Sequence, residues 1–200
     1  MLRGGRVFTR PAAAKAQTER SDETRLLGRI AAGDVRAFEE LYRAYHPRLT
    51  RFLTTMTGRA QIVEEVLDDT MMVVWEKPQS YAGASKLSTW IFAIAYRKAL
   101  KALRRHDEPM EDDLAETRPS PEPRPDQQLE RRQTQAVLIG ALGELTADHR
   151  AVVDLAYFHE ASYREIAEIM DCPVDTVKTR MFHARRRLRA RLAGALADWL

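Results

Sequence analysis

Apolar positions in this chain recur at three- and four-residue steps over several long stretches, the period of helices that bury one face. The first stretch begins at Ser21 or Asp22, either of which can cap a helix, and Gly33-Asp34 ends it and caps the next. The second stretch contains Pro47, which we expect to bend it. Its predicted buried positions are Phe38, Leu41, Tyr42, Tyr45, Leu49, Phe52 and Leu53.

A third amphipathic stretch, from about Gln61 to Lys77, has an acidic outer face. Its predicted inward residues are Ile62, Val66, Met71, Val74 and Trp75. The outward residues include four acids, Glu64, Glu65, Asp68 and Asp69. The pattern predicts an acidic helix surface on a molecule that is otherwise largely basic.

The next segment pairs aromatic residues with a basic helix. Its Pro, Gly and Ser content predicts a loop from Pro78 to Lys86, after which Ser88 can cap a helix that runs to Arg105. Five basic residues and no acid occupy positions 97–105. Such a segment suits melted nucleic acid, because bases stack on rings while cations follow the phosphates. We expect Ile91 to lie in the core, and the pattern leaves open whether Trp90 is core or stacks on a base.

Composition changes abruptly after this helix and divides the chain. Residues 107–130 contain nine acids and five prolines, which predicts a linker extended by proline and by like-charge repulsion. We therefore predict an all-α protein of two small helical domains, 21–106 and 128–200, joined by a flexible acidic linker at 107–127. Residues 1–20 carry scattered basic residues and little apolar content, and we expect a flexible basic arm there.

The second domain is predicted to end in two helices separated by a tight turn. A helix at about Gln128 to Leu142 precedes one capped by Thr146. Ser162 and Glu165 then form a capping box, and Asp171 to Pro173 interrupts the apolar pattern. A final helix starts near Val174. Its inward positions are Val177, Met181, Ala184, Leu188 and Leu192.

The final helix is strongly basic on its other side. Residues 174–191 contain seven Lys or Arg against one acid, Asp175. A helical hairpin with a solvated basic face would give the same charge pattern. Because turn chemistry, capping and one-sided charge coincide, the pattern favours a helix-turn-helix that binds nucleic acid.

Composition narrows the remaining possibilities for the compartment of the protein and for its chemistry. The chain has 200 residues, a formal net charge of +3 and one cysteine, Cys172, which fits a reducing compartment and permits no internal disulfide. No stretch approaches the ~18 apolar residues of a membrane span, so we expect a cytoplasmic protein without membrane insertion. No phosphate-binding loop, metal-ligand spacing or nucleophile motif occurs, so we expect neither cofactor, metal nor enzymatic activity.

Three segments together resemble the extracytoplasmic-function (ECF) subfamily of sigma-70-type RNA polymerase sigma factors. Leu67 to Trp75 resembles the family's helix that docks on core polymerase. Lys86 to Arg105 resembles the helix that reads and melts the minus 10 element, and Tyr163 to Leu188 resembles the helix-turn-helix for the minus 35 element. The resemblance covers about residues 25–105 and 130–192. A stand-alone helix-turn-helix regulator is the main alternative.

The resemblance implies a promoter-recognition subunit whose partners are core RNA polymerase, promoter DNA and an anti-sigma factor. It implies minus 35 contacts by Thr176, Lys178, Thr179, Arg180, Arg185, Arg186 and Arg187. It implies minus 10 contacts by Ser80, Tyr81, Lys86, Trp90, Arg97, Lys98, Lys101, Arg104 and Arg105. It implies polymerase contacts by Glu65, Asp68, Asp69, Val73 and Glu76.

The chain departs from the family pattern at three of these places. Asp68 stands where the family commonly has Gln, Arg97 where it often has Asn, and Asp175 where Gly is frequent. These departures bear on contact chemistry and promoter sequence rather than on the class of protein.

Overall fold

A computed structural model describes residues 22–107, 138 and 140–192. The described helices are α1 (22–31), α2 (Val35–Thr57), α3 (Ala60–Glu76), α4 (Leu87–Asp107), the end of α5 (140–143), α6 (Ala147–Tyr157), α7 (Tyr163–Met170) and α8 (Val174–Leu192). A single 3₁₀ turn, Pro78–Ser80, follows α3. No strand occurs within these ranges, and the predicted all-α class is confirmed.

Helices α1 to α4 form the N-terminal unit. Asp34 begins α2 by accepting hydrogen bonds from the backbone N–H of Arg36 and Ala37, at 3.0 and 3.1 Å. Gly58, in the left-handed region at φ 69°, ends the same helix. Pro47 lies inside α2, which continues through it. The predicted inward residues of α2 and α3 are buried or pack against the core.

The start of α4 corrects one prediction. The helix begins at Leu87, so Ser88 lies inside its first turn and is not the cap that the sequence predicts. A carboxylate oxygen of Glu23 on α1 instead accepts a hydrogen bond from the Leu87 N–H at 3.3 Å. A side chain 64 positions away thus satisfies one of the donors that a helix start leaves open.

Helices α5 to α8 form the C-terminal unit. Thr146 caps α6, and the predicted capping box of Ser162 and Glu165 begins α7. Asp171 ends α7 in the left-handed conformation at φ 50°, and Pro173 precedes α8. The five predicted inward residues of α8 are all buried. The helix-turn-helix is therefore confirmed as a structure.

The two units pack directly against each other, which the sequence did not predict. Helix α2 lies against α6, and α4 lies against α7. The predicted basic arm lies outside the described residues. So does the predicted acidic linker, except for Asp107, which ends α4.

Candidate nucleic-acid interface

Helix α8 is the second helix of the helix-turn-helix and follows α7, which begins with the capping box. The Ser162 N–H and hydroxyl each donate to a Glu165 carboxylate oxygen at 2.7 Å, and the Glu165 N–H donates back to the Ser162 hydroxyl. Burial raises the pKa of Glu165, but hydrogen bonds from Lys86 and Ser162 outweigh it and lower the pKa overall. These contacts fix the start of α7, and α8 follows across the turn with its basic side open to solvent.

Several predicted minus 35 residues occupy that open side. Lys178 is exposed, and its ammonium group lies 2.9 Å from the Asp175 carboxylate. Thr179 is also exposed, although its hydroxyl donates to the Asp175 carbonyl. Thr176 is half-buried beside them. Asp175, which departs from the family pattern, therefore makes an ion pair with Lys178, a predicted DNA contact.

Arg180 differs from the other Lys and Arg residues of α8 because its side chain is mostly buried against its own unit. Its guanidinium lies 2.5 Å from the Asp148 carboxylate on α6, and it also approaches the Cys172 sulfur at 3.7 Å. Its side chain is only 25% exposed. Burial raises the pKa of Cys172, against the opposing charge of Arg180. Base reading by Arg180 would require this arrangement to open.

The three predicted arginines farther along α8 have different surroundings. Arg185 lies over the Tyr157 ring at 5.6 Å, and Arg186 is exposed. Arg187 donates to the Glu144 carbonyl at 3.3 Å, while Arg191 makes an ion pair with the Glu144 carboxylate. Glu144 thus anchors the end of α8. Arg185 and Arg186 form the part of its basic side that is more accessible to a DNA ligand.

Sequence reasoning missed Phe182. Its ring is 63% exposed on α8, in a shallow depression shared with Lys178, Arg185, Arg186 and Arg189. A large aromatic off the apolar stripe, within a run of basic residues, was the signal that could have revealed it. An exposed ring among cations can contact base edges or methyl groups.

The second predicted DNA surface begins in the loop after α3. The Tyr81 hydroxyl donates to the Ser85 carbonyl at 2.6 Å, and the Ser80 hydroxyl donates to the Lys77 carbonyl at 2.7 Å. The rings of Tyr81 and Trp90 are tilted, with centroids 5.6 Å apart. Both rings pack partly on the core and remain partly exposed, whereas Ile91 is fully buried as predicted. Trp90 therefore lies partly in the core and partly at the surface.

The basic residues of α4 divide into two groups. Arg97, Lys101 and Arg104 are exposed. Lys98 and Arg105 instead make ion pairs with α3, Lys98 with Asp69 at 2.9 Å and Arg105 with Glu65 at 2.6 Å. The structure thus brings together residues predicted for two different partners.

The acidic side of α3 is exposed as predicted. Asp68 and Glu76 are exposed, and Val73 is half-buried between them. Met72, which sequence reasoning did not single out, is 53% exposed on the same helix. An acidic surface with an exposed apolar centre suits a protein partner rather than DNA.

Two other kinds of feature are absent from residues 22–107, 138 and 140–192. No group of three or more His, Cys, Asp or Glu side chains there converges as metal ligands would. No helix in those ranges has the length and apolar character to cross a membrane.

Comparisons with known proteins follow the division into two units. The sigma-70 region 2 family matches residues 41–108, and the sigma-70, region 4 family matches residues 135–188. The chain is 31% identical over 183 residues to the ECF RNA polymerase sigma factor RpoE of Cereibacter sphaeroides. That alignment covers 88% of this chain and 99% of the relative.

Two solved structures share the fold. CnrH, in complex with the cytosolic domain of CnrY, matches with a TM-score of 0.63 and 22% identity, covering 85% of this chain and 96% of CnrH. RpoE of Bartonella quintana, in complex with the anti-sigma factor NepR, matches with a TM-score of 0.61 and 24% identity, covering 79% of this chain and 98% of RpoE.

Proposed function

This chain belongs to the ECF family of RNA polymerase sigma factors, and we propose from that premise which of its surfaces binds each partner. It binds core RNA polymerase and directs it to specific promoters. A stand-alone regulator is not favoured, because the similarity to a sigma factor extends over nearly the whole chain. The observation that carries our proposal is the segregation of charge between acidic α3 and the basic sides of α4 and α8.

We assign the minus 35 element to α8. Lys178, Arg185 and Arg186 are exposed on its basic side and would neutralise phosphates of the duplex. Thr176, Thr179 and Arg180 lie, like Lys178, in the first two turns of the helix, the part of a recognition helix that enters the major groove. Phe182 adds an apolar contact between Arg180 and Arg185.

We assign the minus 10 element to α4 and the preceding loop. A base flipped from the non-template strand would enter the Pro78 to Lys86 loop, near the exposed edges of Tyr81 and Trp90. Flipping costs a few kcal/mol of unstacking, so a pocket that recovers this cost also selects the base. Arg97, Lys101 and Arg104 would hold the melted strand by its phosphates. Binding free energy would drive melting without nucleotide hydrolysis.

We assign core polymerase to the exposed side of α3. Asp68, Asp69 and Glu76 would face basic residues of the polymerase, with Met72 and Val73 supplying apolar contact. Glu65 lies at the edge of this surface, where it pairs with Arg105. Because exposed ion pairs contribute only about 0–1 kcal/mol, a polymerase surface can displace Arg105 and Lys98 at little cost.

We propose two further properties by analogy with the relatives. The RpoE of Bartonella quintana is bound by an anti-sigma factor, and we expect a protein of that class to hold this chain inactive. Polymerase and promoters meet in the cytoplasm, where the chain would act as a non-catalytic subunit.

The assignment can be tested by measuring three binding reactions separately. The ligands are core polymerase, a minus 35 duplex and a minus 10 single strand, both DNAs taken from genomic fragments that the holoenzyme selects. Changes in α3, α8 and α4 should each weaken one reaction and spare the other two. Equal weakening of duplex binding by changes in α3 and in α8 would contradict the division.

A further inference from the structure

We infer that Asp175 reads a base, because its carboxylate can accept a hydrogen bond from the exocyclic amine of a cytosine in the minus 35 duplex. This inference rests on the proposed function, since it assigns a base preference to the start of the helix that is proposed to enter the major groove. Asp175 is the single acid of residues 174–191, which contain seven Lys or Arg.

The position of Asp175 is that of a groove contact. It is the second residue of α8, which begins at Val174. The first residues of a recognition helix are the ones that contact base edges. The Asp175 side chain is 88% exposed. Phe182 lies about two helical turns further along on the same side of α8. The carboxylate therefore lies at the groove end of the side that carries the exposed ring and its basic neighbours.

One oxygen of this carboxylate is available to accept. The Lys178 ammonium group donates to Asp175 Oδ1 at 2.9 Å. Among the residues that the structure describes, no group donates to the other oxygen, Oδ2. The Thr179 hydroxyl donates at 2.9 Å to the backbone carbonyl of Asp175 and not to its side chain. A base can therefore bind Oδ2 without displacing either neighbour.

The charge of Asp175 decides which groups it can meet. The hydrogen bond from Lys178, together with the charge of that ammonium group, holds the pKa of Asp175 below its usual range. The carboxylate is therefore ionised at neutral pH, and an ionised carboxylate accepts hydrogen bonds but has no proton to donate. It is attracted to a donor on a base edge and repelled by an acceptor.

Cytosine fits this acceptor best among the four bases. In the major groove guanine presents two acceptors, and thymine presents one acceptor beside its methyl group. Adenine and cytosine each present an amine donor. The adenine amine lies between two acceptors of its base pair, adenine N7 and thymine O4, whereas the cytosine amine has only guanine O6 beside it. A carboxylate at the groove end of α8 therefore selects cytosine.

A second role of the acid would be independent of the base sequence. A negative charge in the first turn of a helix interacts favourably with the helix dipole, which would stabilise the start of α8. The same charge repels the phosphates of any duplex. Neither effect distinguishes one base pair from another, so a base preference separates the reading role from both.

The test measures that preference with the full-length chain. The minus 35 duplex is taken from promoters that the chain selects with core polymerase, and each base pair is replaced in turn. The parent chain should prefer cytosine, on either strand, at one position. Asp175→Ala should reduce that preference about 5- to 150-fold and leave the preferences at the other positions intact. An equal change on every sequence, or no cytosine preference that depends on Asp175, would overturn the inference.

A modified base tests the hydrogen bond itself. N4-methylcytosine still pairs with guanine, but a methyl group replaces the amine hydrogen that faces the major groove. At the selected position it should weaken binding of the parent chain by about the factor that Asp175→Ala does, and should not weaken binding of the Asp175→Ala chain further. An undiminished affinity of the parent chain for the methylated duplex would overturn the assignment.

Two matched variants separate the acceptor from the charge. Asp175→Asn removes the charge but keeps an oxygen acceptor and adds a donor, so it should still prefer cytosine to guanine and thymine and should also accept adenine, which pairs with amide side chains. Glu168→Ala makes the same charge change as Asp175→Ala at an exposed position on α7, and should leave every base preference unchanged. A cytosine preference lost in Asp175→Asn, or lost in Glu168→Ala, would contradict base reading by Asp175.

The inference and the proposed function can fail separately. Promoter-specific transcription by the parent chain with core polymerase reports the function alone. If such transcription occurs and the minus 35 duplex shows no cytosine preference that depends on Asp175, only the base-reading role is wrong. If no promoter-specific transcript forms, the proposed function is wrong, and the minus 35 role of Asp175 is wrong with it.

Discussion

The ammonium group of Lys98 on α4 lies 2.9 Å from the carboxylate of Asp69 on α3. Lys98 is a proposed DNA contact and Asp69 a proposed polymerase contact, so each neutralises the other in the free chain. Arg105 and Glu65 repeat the arrangement at 2.6 Å. Two surfaces for different partners therefore share an edge, and binding at one changes the charge available at the other.

This edge gives a charge-reversal prediction for polymerase binding. Asp69→Arg should weaken co-purification with core polymerase, because it places a cation on an acidic docking surface. Lys98→Ala removes the same ion pair without altering α3, and should leave polymerase binding intact. Unchanged co-purification of Asp69→Arg would count against the docking assignment, and an equal loss for Lys98→Ala would assign the effect to packing between α3 and α4.

Asp175 and Lys178 give a prediction for duplex binding. Lys178→Ala should weaken binding to all sequences and reduce the salt slope by about 0.9, the contribution of one phosphate. Asp175→Asn releases Lys178 from its acid and should strengthen binding. Titrations at several salt concentrations would measure both effects. An unchanged slope for Lys178→Ala would remove that residue from the phosphate contacts.

Arg180 tests whether a side chain held by its own unit also reads bases. If it leaves Asp148 for the groove, Arg180→Ala should change the preference between base pairs by about 1–3 kcal/mol. Competition between single-base variants of the minus 35 duplex would measure this preference. An equal loss on every sequence would instead make Arg180 a residue that positions α8 through Asp148.

Acid should weaken the contact between Lys86 and Glu165. The pKa of Glu165 is lowered in the folded chain from an ordinary value of 4.5, because hydrogen bonds from Lys86 and Ser162 outweigh the effect of burial. Its contribution to stability is therefore full above that ordinary value and is lost as pH falls through the lowered pKa. Glu165→Gln should be less stable than the parent chain at pH 7, and the difference should vanish in acid. Thermal unfolding of both chains across pH would show it, and parallel curves would contradict it.

Local signals in the sequence predicted much of the fold. Ser162 with Glu165, Thr146 and Asp34 each cap a helix through neighbours within three residues, so their roles are visible in a short stretch. The inward positions of α8 follow the helical period in the same way. These features depend on spacing alone, and spacing is what a sequence displays.

Contacts between distant residues could not be predicted in this way. Glu23 reaches the start of α4 across 64 positions, and Arg150 reaches the end of α2 across 94. No local pattern distinguishes Arg150 from an exposed arginine, or His159 from a scattered histidine. The sequence predicts DNA contacts for Lys98 and Arg180 but not their ion pairs with acidic side chains. The position of a basic residue along a helix does not show which acid it meets.

The most direct test of the account is transcription of genomic DNA by core polymerase with and without the purified chain. We predict promoter-specific transcripts only when both are present, and their loss when Asp69→Arg replaces the parent chain. The absence of any specific transcript on any genomic template, together with tight binding of the chain alone to a palindromic site, would contradict it.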